Sequence, residues 1–351
     1  MHIPEPTLTL TIPSIHDSLP LNCRIYHPLE PNARYAAIVA HPYAPLGGSY
    51  DDPIVETVAA YLLRRGFIVA TFNFRGAGTG RTSWSARPEV GDYTSIVGFI
   101  VYYVHHLFHG DGFQGAGRAL LMGGYSYGAM VTSQLPPLED LLLTFATPAI
   151  ESAAAQIRSQ AETLAAQQRD ILHAHSRKSL RVGEGGSPKR RSNDSARSRS
   201  ISLDEAEDKI RHLVNKTVHR REGSRGQSGS TNSAASVKIA SVPDLALPRP
   251  AYLLISPLQG FVLNLATMRR FTGEEAAEQK LRENLTLAVF GNGDIFVAAS
   301  RLRTWVTQME DGDSLFRGQE VDGAGHFWVE QGVLSTMMSH VANFVRMLTA
   351  P

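Results

Sequence analysis

The chain has 351 residues, of which 43% are hydrophobic and 19% are charged, so it can bury a sizeable core and is not wholly disordered. Its formal net charge of +1 excludes nucleic-acid binding by bulk electrostatics, and its single cysteine excludes an internal disulfide and any CxxC metal or redox site. The longest apolar run, 96–108, is interrupted by tyrosines and histidines, which predicts that no segment spans a membrane.

The first part of the chain alternates predicted strands and helices. A leading strand pair is predicted at Leu8–Ile12 and Leu21–Tyr26. Unbroken apolar runs predict three buried strands, at Ala36–Ala40, Phe67–Phe74 and Ala119–Gly123. Each buried strand is followed by a predicted helix, and these helices are Ile54–Arg65, Val90–Phe108 and Gly128–Leu135.

The C-terminal part repeats this alternation. Three further strands are predicted, at Ala251–Ile255, Leu285–Phe290 and Phe316–Val321, and helices at Val297–Gln308 and Val333–Leu348 follow the last two. Strands that alternate with helices predict an α/β fold with a mostly parallel central sheet and helices on both faces, because right-handed crossovers place them there. In such a sheet, ligands bind beyond the carboxyl ends of the strands.

An insertion is predicted to interrupt this domain at 150–247, between an N-terminal part, 1–149, and a C-terminal part, 248–351. Apolar residues at helical spacing predict a helix at 150–172. That helix can cover the candidate site as a lid or pack on the domain edge, and the lid is the preferred interpretation.

The middle of the insertion, 176–237, is rich in serine, glycine and arginine, and is predicted to be largely disordered. Residues 176–225 hold 14 Lys and Arg against 7 Asp and Glu, a net charge of +7 that leaves −6 on the rest of the chain. This run can contact acidic partners, but without interleaved aromatic residues it does not predict specific nucleic-acid binding. Ser202 stands in a spacing that basophilic kinases accept, although an unmodified serine in a solvated loop is the more common case.

Ser126 is the candidate nucleophile. It is the central residue of Gly124-Tyr125-Ser126-Tyr127-Gly128, a G-x-S-x-G pattern between a predicted strand and a predicted helix. In that context the pattern is typical of a nucleophile elbow, in which small flanking residues let the strand and the helix approach closely. Such patterns also arise by chance in glycine-rich turns, and the strand–turn–helix context argues against that alternative.

Asp294 and His326 are the candidate acid and base, each in a glycine-rich turn after a later strand. Asp294 can orient an imidazole, cap the following helix, or do both. Asp322 is a rival acid, but it lies only four residues before His326, a poor position from which to reach the ring. A lone histidine is more often structural; the chain order Ser, Asp, His after three predicted strands is what favours His326.

With these motifs in place, the sequence resembles the α/β-hydrolase superfamily, in particular its dienelactone-hydrolase-like and Xaa-Pro-dipeptidyl-peptidase-like members. Besides the three turns above, the resemblance rests on His41-Pro42-Tyr43 and on Asn73-Phe74-Arg75-Gly76. The sequence departs from the family pattern around Asp294, where Asn292-Gly293 precedes the acid and Ile295-Phe296 follows it.

The resemblance implies that the backbone N–H groups of Tyr127 and Tyr43, or less favourably Ala44, form an oxyanion hole. It implies a structural role for Arg75 and a serine hydrolase that cleaves a carboxylic ester, thioester or amide, without a cofactor or a metal. The substrate is expected to be a small or medium acyl compound, and the aromatic residues near the site suggest an apolar acyl pocket or ordinary core packing.

A second hypothesis is a non-catalytic interaction protein that keeps the hydrolase fold and binds partners through the basic insertion. An intact set of Ser126, Asp294 and His326 argues against it, since a scaffold needs none of them. The N-terminus has no basic-then-apolar pattern, so a cytoplasmic location is the default expectation.

Overall fold

The computed structural model describes residues 2–29, 35–77, 86–108, 119–181, 237–258 and 274–350. The chain divides into two compact units, one made of Met1–Ala166 and Lys238–Pro351, the other of Gln167–Val237. Ser202 and most of the predicted disordered segment lie outside the described residues.

The first unit is built on an eight-stranded sheet in the order β1-β2-β4-β3-β5-β6-β7-β8. The strands are β1 Leu8–Pro13, β2 Pro20–Tyr26, β3 Tyr35–Ala40, β4 Ile68–Phe72, β5 Ala119–Tyr125, β6 Arg249–Ile255, β7 Thr286–Gly291 and β8 Phe316–Val321. β2 pairs antiparallel with β1 and with β4, and every pair from β4 to β8 is parallel. The predicted strands and the mostly parallel sheet are confirmed.

Eight α-helices lie within the described ranges: α1 Pro53–Arg64, α2 Arg87–Leu107, α3 Tyr127–Gln134, α4 Leu138–Ala146, α5 Ala153–Arg181, α6 Glu274–Glu283, α7 Ala299–Met309 and α8 Val333–Leu348. α1 and α8 share one apolar core with one face of the sheet, while α2 and α3 pack against β3, β4, β5 and β6. The described part of the chain contains no helix long and apolar enough to cross a membrane.

Local signals fix the helix that follows β3. The Asp52 carboxylate accepts the backbone N–H of Ile54 at 2.9 Å, and Pro53 occupies the first turn, where its missing N–H costs nothing. Gly66 ends the helix with a φ of +87°, which a residue with a side chain rarely adopts. The sequence therefore predicts this helix to within one residue at each end.

Two helices are absent from the sequence-based prediction. α4 carries a signal that the prediction missed, because its buried residues recur at helical spacing: Leu138, Leu141, Leu142 and Phe145. α4 has no side-chain cap, because Pro137 precedes it. α6 is mostly polar, and among its residues 275–283 only Lys280 and Leu281 are buried. α6 makes a tertiary contact that the sequence does not show: the Lys280 amino group donates to the carbonyls of Thr132, Ser133 and Leu135 at the end of α3.

The start of the predicted insertion is helical. α5 begins at Ala153 and continues to Arg181, so its last residues are helix where disorder was predicted. Within the first unit, Gln160 of this helix donates to the carbonyl of Thr11 in the edge strand β1 at 3.0 Å. Arg158 donates to the carbonyl of Ala146 at the end of α4, also at 3.0 Å. The lid function assigned to 150–172 stays a prediction.

His27 provides a pH test of this fold. It lies at the end of β2, its Nε2 is 2.9 Å from the Tyr103 hydroxyl oxygen, and burial lowers its pKa to about 4. The unfolded chain binds the proton near pH 6.5, so the free energy of unfolding should fall as the pH drops from 6.5 to 4. Glutamine at position 27 does not titrate and still offers Tyr103 a hydrogen-bonding partner. We therefore expect the free energy of unfolding of His27→Gln to fall less between pH 6.5 and pH 4 than that of the wild type, by up to about 3 kcal/mol.

Chemical denaturation at several pH values measures the slope. His2→Gln, at an exposed position, is the matched control and should leave the slope unchanged. An unchanged slope in His27→Gln would contradict the expectation.

Candidate active site

The turn from β5 to α3 holds Ser126 in a conformation that few residues with a side chain adopt. Its φ is +56° and its ψ is −113°, and its N–H donates to the carbonyl of Ile255 in β6 at 2.8 Å. The backbone therefore presents the hydroxyl at the N-terminus of α3, where the helix dipole favours negative charge.

Two glycines make that turn possible. A Cβ on Gly124 would come 2.2 Å from the carbonyl carbon of Gly128, and a Cβ on Gly128 would come 2.6 Å from the Ala40 carbonyl oxygen. Both contacts are with backbone, which cannot rotate away. The two glycines of the motif are thus required by the close approach of β3, β5 and α3.

Ser126, His326 and Asp294 form one hydrogen-bonded line. Nε2 of His326 lies 2.8 Å from the Ser126 hydroxyl oxygen, and Nδ1 lies 2.7 Å from Oδ2 of Asp294. All three side chains are shielded from water: the Asp294 carboxylate is 1% exposed and the His326 side chain 3%. The three turns that the sequence singles out therefore meet at one edge of the sheet.

The other oxygen of Asp294 is fixed by its own turn. Oδ1 accepts the N–H groups of Phe296 at 2.7 Å and Val297 at 3.1 Å. The helix predicted to start at Val297 starts at Ala299, with Ala298 as its N-cap, so Asp294 is not a helix cap. Both carboxylate oxygens are occupied, which leaves Asp294 one orientation toward the imidazole.

Asp322, the rival acid, has a different partner. Its Oδ1 accepts the side-chain amide N–H of Asn292 at 2.6 Å, while Oδ1 of Asn292 accepts the Gly323 N–H at 2.9 Å. The Gly293 N–H donates to the Ala324 carbonyl at 2.9 Å and continues the pairing of β7 with β8 beyond the strands. We call these bonds the Asn292 clasp; they join the turn that carries Asp294 to the turn that carries His326.

The predicted oxyanion donors lie on neighbouring elements. Tyr127 is the first residue of α3, so its N–H has no carbonyl one turn earlier in the helix to bind. Tyr43 precedes a short 3-10 helix at Ala44–Leu46, and its ring lies 5.1 Å from that of Tyr127. The loop after β3 therefore lies beside the first turn of α3.

His41 supports that loop as a neutral side chain. It is fully buried, its Nε2 accepts the Phe74 N–H at 2.9 Å, and its Nδ1 donates to the Pro42 carbonyl. Burial lowers the pKa of His41 to about 4, so the ring stays uncharged near neutral pH. The loop after β3 is thereby tied to the loop after β4.

Arg75 is fully engaged with carboxylates. Its Nε donates to Asp92 at 2.9 Å, one terminal nitrogen donates to the same carboxylate at 2.6 Å, and the other donates to Asp17 at 3.0 Å. Asp92 is completely buried in α2. These bonds fasten the loop after β4 to α2 and to the turn after β1, the structural role that the resemblance implies.

Sequence reasoning missed two supports of the histidine turn. The Tyr125 hydroxyl donates to the carbonyl of His326 at 2.9 Å. The Trp328 indole donates to the Ser256 hydroxyl at 3.0 Å, and both of these residues have positive φ. Tyr125 and Trp328 are buried and pack in the hydrophobic core. Sequence spacing carries no signal for contacts between residues so far apart in the chain.

No cluster of three or more histidine, cysteine or acidic side chains suited to a metal ion occurs among the residues that the structure describes. The single cysteine, Cys23, is buried in β2, and burial raises the pKa of its thiol well above the ordinary range. That thiol is therefore not a reactive group near neutral pH.

Comparison with models of known protein families finds no match. An uncharacterized protein of Schizosaccharomyces pombe is 34% identical over 96 residues, which are 27% of this chain and 37% of that protein. Because the match spans little more than a third of the relative's length, it assigns no family.

Solved structures that cover nearly the whole chain share its fold. Esterase 2 of Thermogutta terrifontis, phosphorylated by paraoxon, is 13% identical with a TM-score of 0.50, over 99% of this chain and 98% of that chain. An Agrobacterium tumefaciens protein of unknown function, described as an α/β hydrolase, is 15% identical with a TM-score of 0.50, over 97% and 95%. The predicted α/β-hydrolase fold is thereby confirmed.

The Asn292 clasp yields a test by exchange of partners. Asn292→Asp should set two carboxylates against each other and lower the free energy of unfolding by about 1–2 kcal/mol, more at neutral than at acid pH. Combining it with Asp322→Asn should recover most of that loss, since one amide and one carboxylate again face each other. Denaturation of both single variants and the double variant measures the coupling.

The His326 ring proton in NMR spectra provides the second readout. It should broaden in Asn292→Asp and sharpen again in the double variant, because the clasp holds the turns that carry Asp294 and His326 in register. If the two substitutions change the free energy of unfolding additively, Asn292 and Asp322 are not coupled, and the clasp does not hold the two turns together.

Proposed function

We propose that this α/β-hydrolase-fold protein is a serine hydrolase that forms a covalent acyl-enzyme. The observation that carries the proposal is the hydrogen-bonded line from Ser126 through His326 to Asp294, with the serine strained at the head of a helix. A buried serine, imidazole and carboxylate in that order form a proton relay, and structural packing alone requires no such arrangement.

In the acylation step, the Ser126 oxygen attacks the substrate carbonyl while Nε2 of His326 takes its proton. Asp294 accepts the hydrogen bond from Nδ1 and stabilises the imidazolium that forms. The negative charge moves to the carbonyl oxygen, where the N–H groups of Tyr127 and Tyr43 would receive it; losing one such donor costs on the order of 3 kcal/mol in comparable enzymes.

Collapse of the tetrahedral intermediate breaks the bond to the leaving group, which takes the proton from His326. Water then attacks the acyl-enzyme with the same histidine as its base, and the acid product leaves. A carboxylic ester of small or medium size is the proposed substrate, since an ester needs less help in leaving than an amide does. The esterase that shares this fold supports the same choice.

The proposal is tested by covalent labelling. A fluorophosphonate probe should modify the wild-type protein at one site, and Ser126→Ala should abolish the labelling. Ser133→Ala is the matched control, because Ser133 lies on the same helix and its hydroxyl donates to the carbonyl of Met130. Peptide mapping of the labelled protein identifies the modified residue.

Asp294→Asn separates relay chemistry from simple reactivity of the serine. The amide would hold the imidazole in the wrong tautomer, so ester hydrolysis should fall on the order of 10³-fold or more with the fold intact. Equal labelling of wild type and Ser126→Ala, or full hydrolysis by Asp294→Asn, would refute the proposed mechanism; circular dichroism checks folding.

A further inference from the structure

The edge of the site beside His326 carries four large apolar side chains that face solvent. Ile295 and Val329 are 75% and 81% exposed, and Phe296 and Phe327 are 39% and 53% exposed. We call these four residues the apolar rim. The Phe296 and Phe327 rings contact each other, with centroids 6.0 Å apart, while Ile295 and Val329 lie close to them in the chain. Clustered apolar side chains exposed to water mark a binding surface more often than scattered ones do.

The two aromatic rings of the rim lie against the imidazole. The Phe296 ring centroid is 4.5 Å from that of His326, and the Phe327 centroid is 5.4 Å away, both edge-to-face. The backbone N–H of Phe296 also donates to Asp294, so the same turn fixes the acid and the ring. The rim is thus part of the ordered site and not a loose surface feature.

The chemistry of acyl transfer says which half of a substrate meets the rim. His326 gives its proton to the leaving-group oxygen, so that oxygen must sit beside the imidazole when the bond breaks. The carbonyl oxygen points instead toward the amides of Tyr127 and Tyr43. Rings that contact this imidazole are therefore placed to meet the alcohol half of an ester.

Charge at the same edge restricts the leaving group further. The acid turn, 291–297, and the histidine turn, 322–330, contain no lysine or arginine, and their charged residues are Asp294, Asp322 and Glu330. The Glu330 carboxylate lies over Gly325, where an added Cβ would be 2.5 Å from Oε1. An anionic leaving group would meet like charge here.

We propose that the leaving group is a neutral, apolar alcohol such as benzyl alcohol, bound by the apolar rim. In the step concerned, the C–O bond breaks, the alkoxide oxygen takes the proton from Nε2 of His326, and the acyl group stays on Ser126. The inference rests on the proposed function and specifies its substrate.

The test holds the acyl group constant and varies the alcohol. Methyl, ethyl, benzyl and cyclohexylmethyl acetate have alcohols of similar acidity, so differences in kcat/KM report binding of the leaving group in the transition state. We expect benzyl acetate to exceed methyl acetate by about tenfold or more. Phe327→Ser and Ile295→Ser should each reduce the benzyl-to-methyl ratio, by about threefold or more.

Leu143→Ser is the matched control, because Leu143 is 70% exposed on α4 and belongs to neither turn; it should leave the ratio unchanged. A further measurement uses 4-carboxybenzyl acetate, whose leaving group carries a negative charge. Its kcat/KM should be about tenfold lower than that of benzyl acetate. Glu330→Gln should narrow that gap by removing one of the repelling carboxylates.

Three results would overturn the inference while leaving the proposed function standing. The first is equal kcat/KM for methyl and benzyl acetate, and the second is a benzyl-to-methyl ratio that Phe327→Ser leaves unchanged. The third is a rate of ester hydrolysis that rises only when phosphatidylcholine vesicles are added, which would assign the rim to a lipid surface. Loss of all Ser126-dependent hydrolysis, by contrast, would refute the proposed function itself.

Discussion

The backbone conformation of Ser126 is the constraint on which the rest of the site depends. Ser126 has positive φ although it carries a side chain, and that strain persists only because neighbouring backbone leaves no alternative. β3, β5 and α3 approach so closely that Gly124 and Gly128 can carry no Cβ. The sheet, its parallel crossovers and the burial of β5 between β3 and β6 together supply the rigidity that holds the serine in place.

The acid and the histidine are held by a different device. They stand on adjacent strands, β7 and β8, whose pairing continues past the last strand residues through the Asn292 clasp. Hydrogen bonds between these two turns hold them together, so the register of β7 with β8 sets the distance from Asp294 to His326.

Much of this arrangement could be predicted from the sequence, because its signals are local. Unbroken apolar runs fixed the central strands, and a glycine pattern between strand and helix singled out Ser126. Part of what escaped prediction depends on contacts between distant residues. Lys280 of α6 binds carbonyls at the end of α3, and Asn292 gains its role only beside Asp322. Asn292 is also one of the residues at which the sequence departs from the family pattern.

The bond between Lys280 and α3 has a consequence for how the protein is made. During synthesis, the end of α3 is made about 145 residues before Lys280, whose amino group binds the last carbonyls of α3. It is also made well before Ile255, whose carbonyl accepts the Ser126 N–H. A nascent chain that stops before Ile255 thus lacks the carbonyl that accepts the Ser126 N–H. The hydrogen bonds from Ser126 to His326 and from His326 to Asp294 can form only after His326 has been added to the chain, long after the turn that holds Ser126.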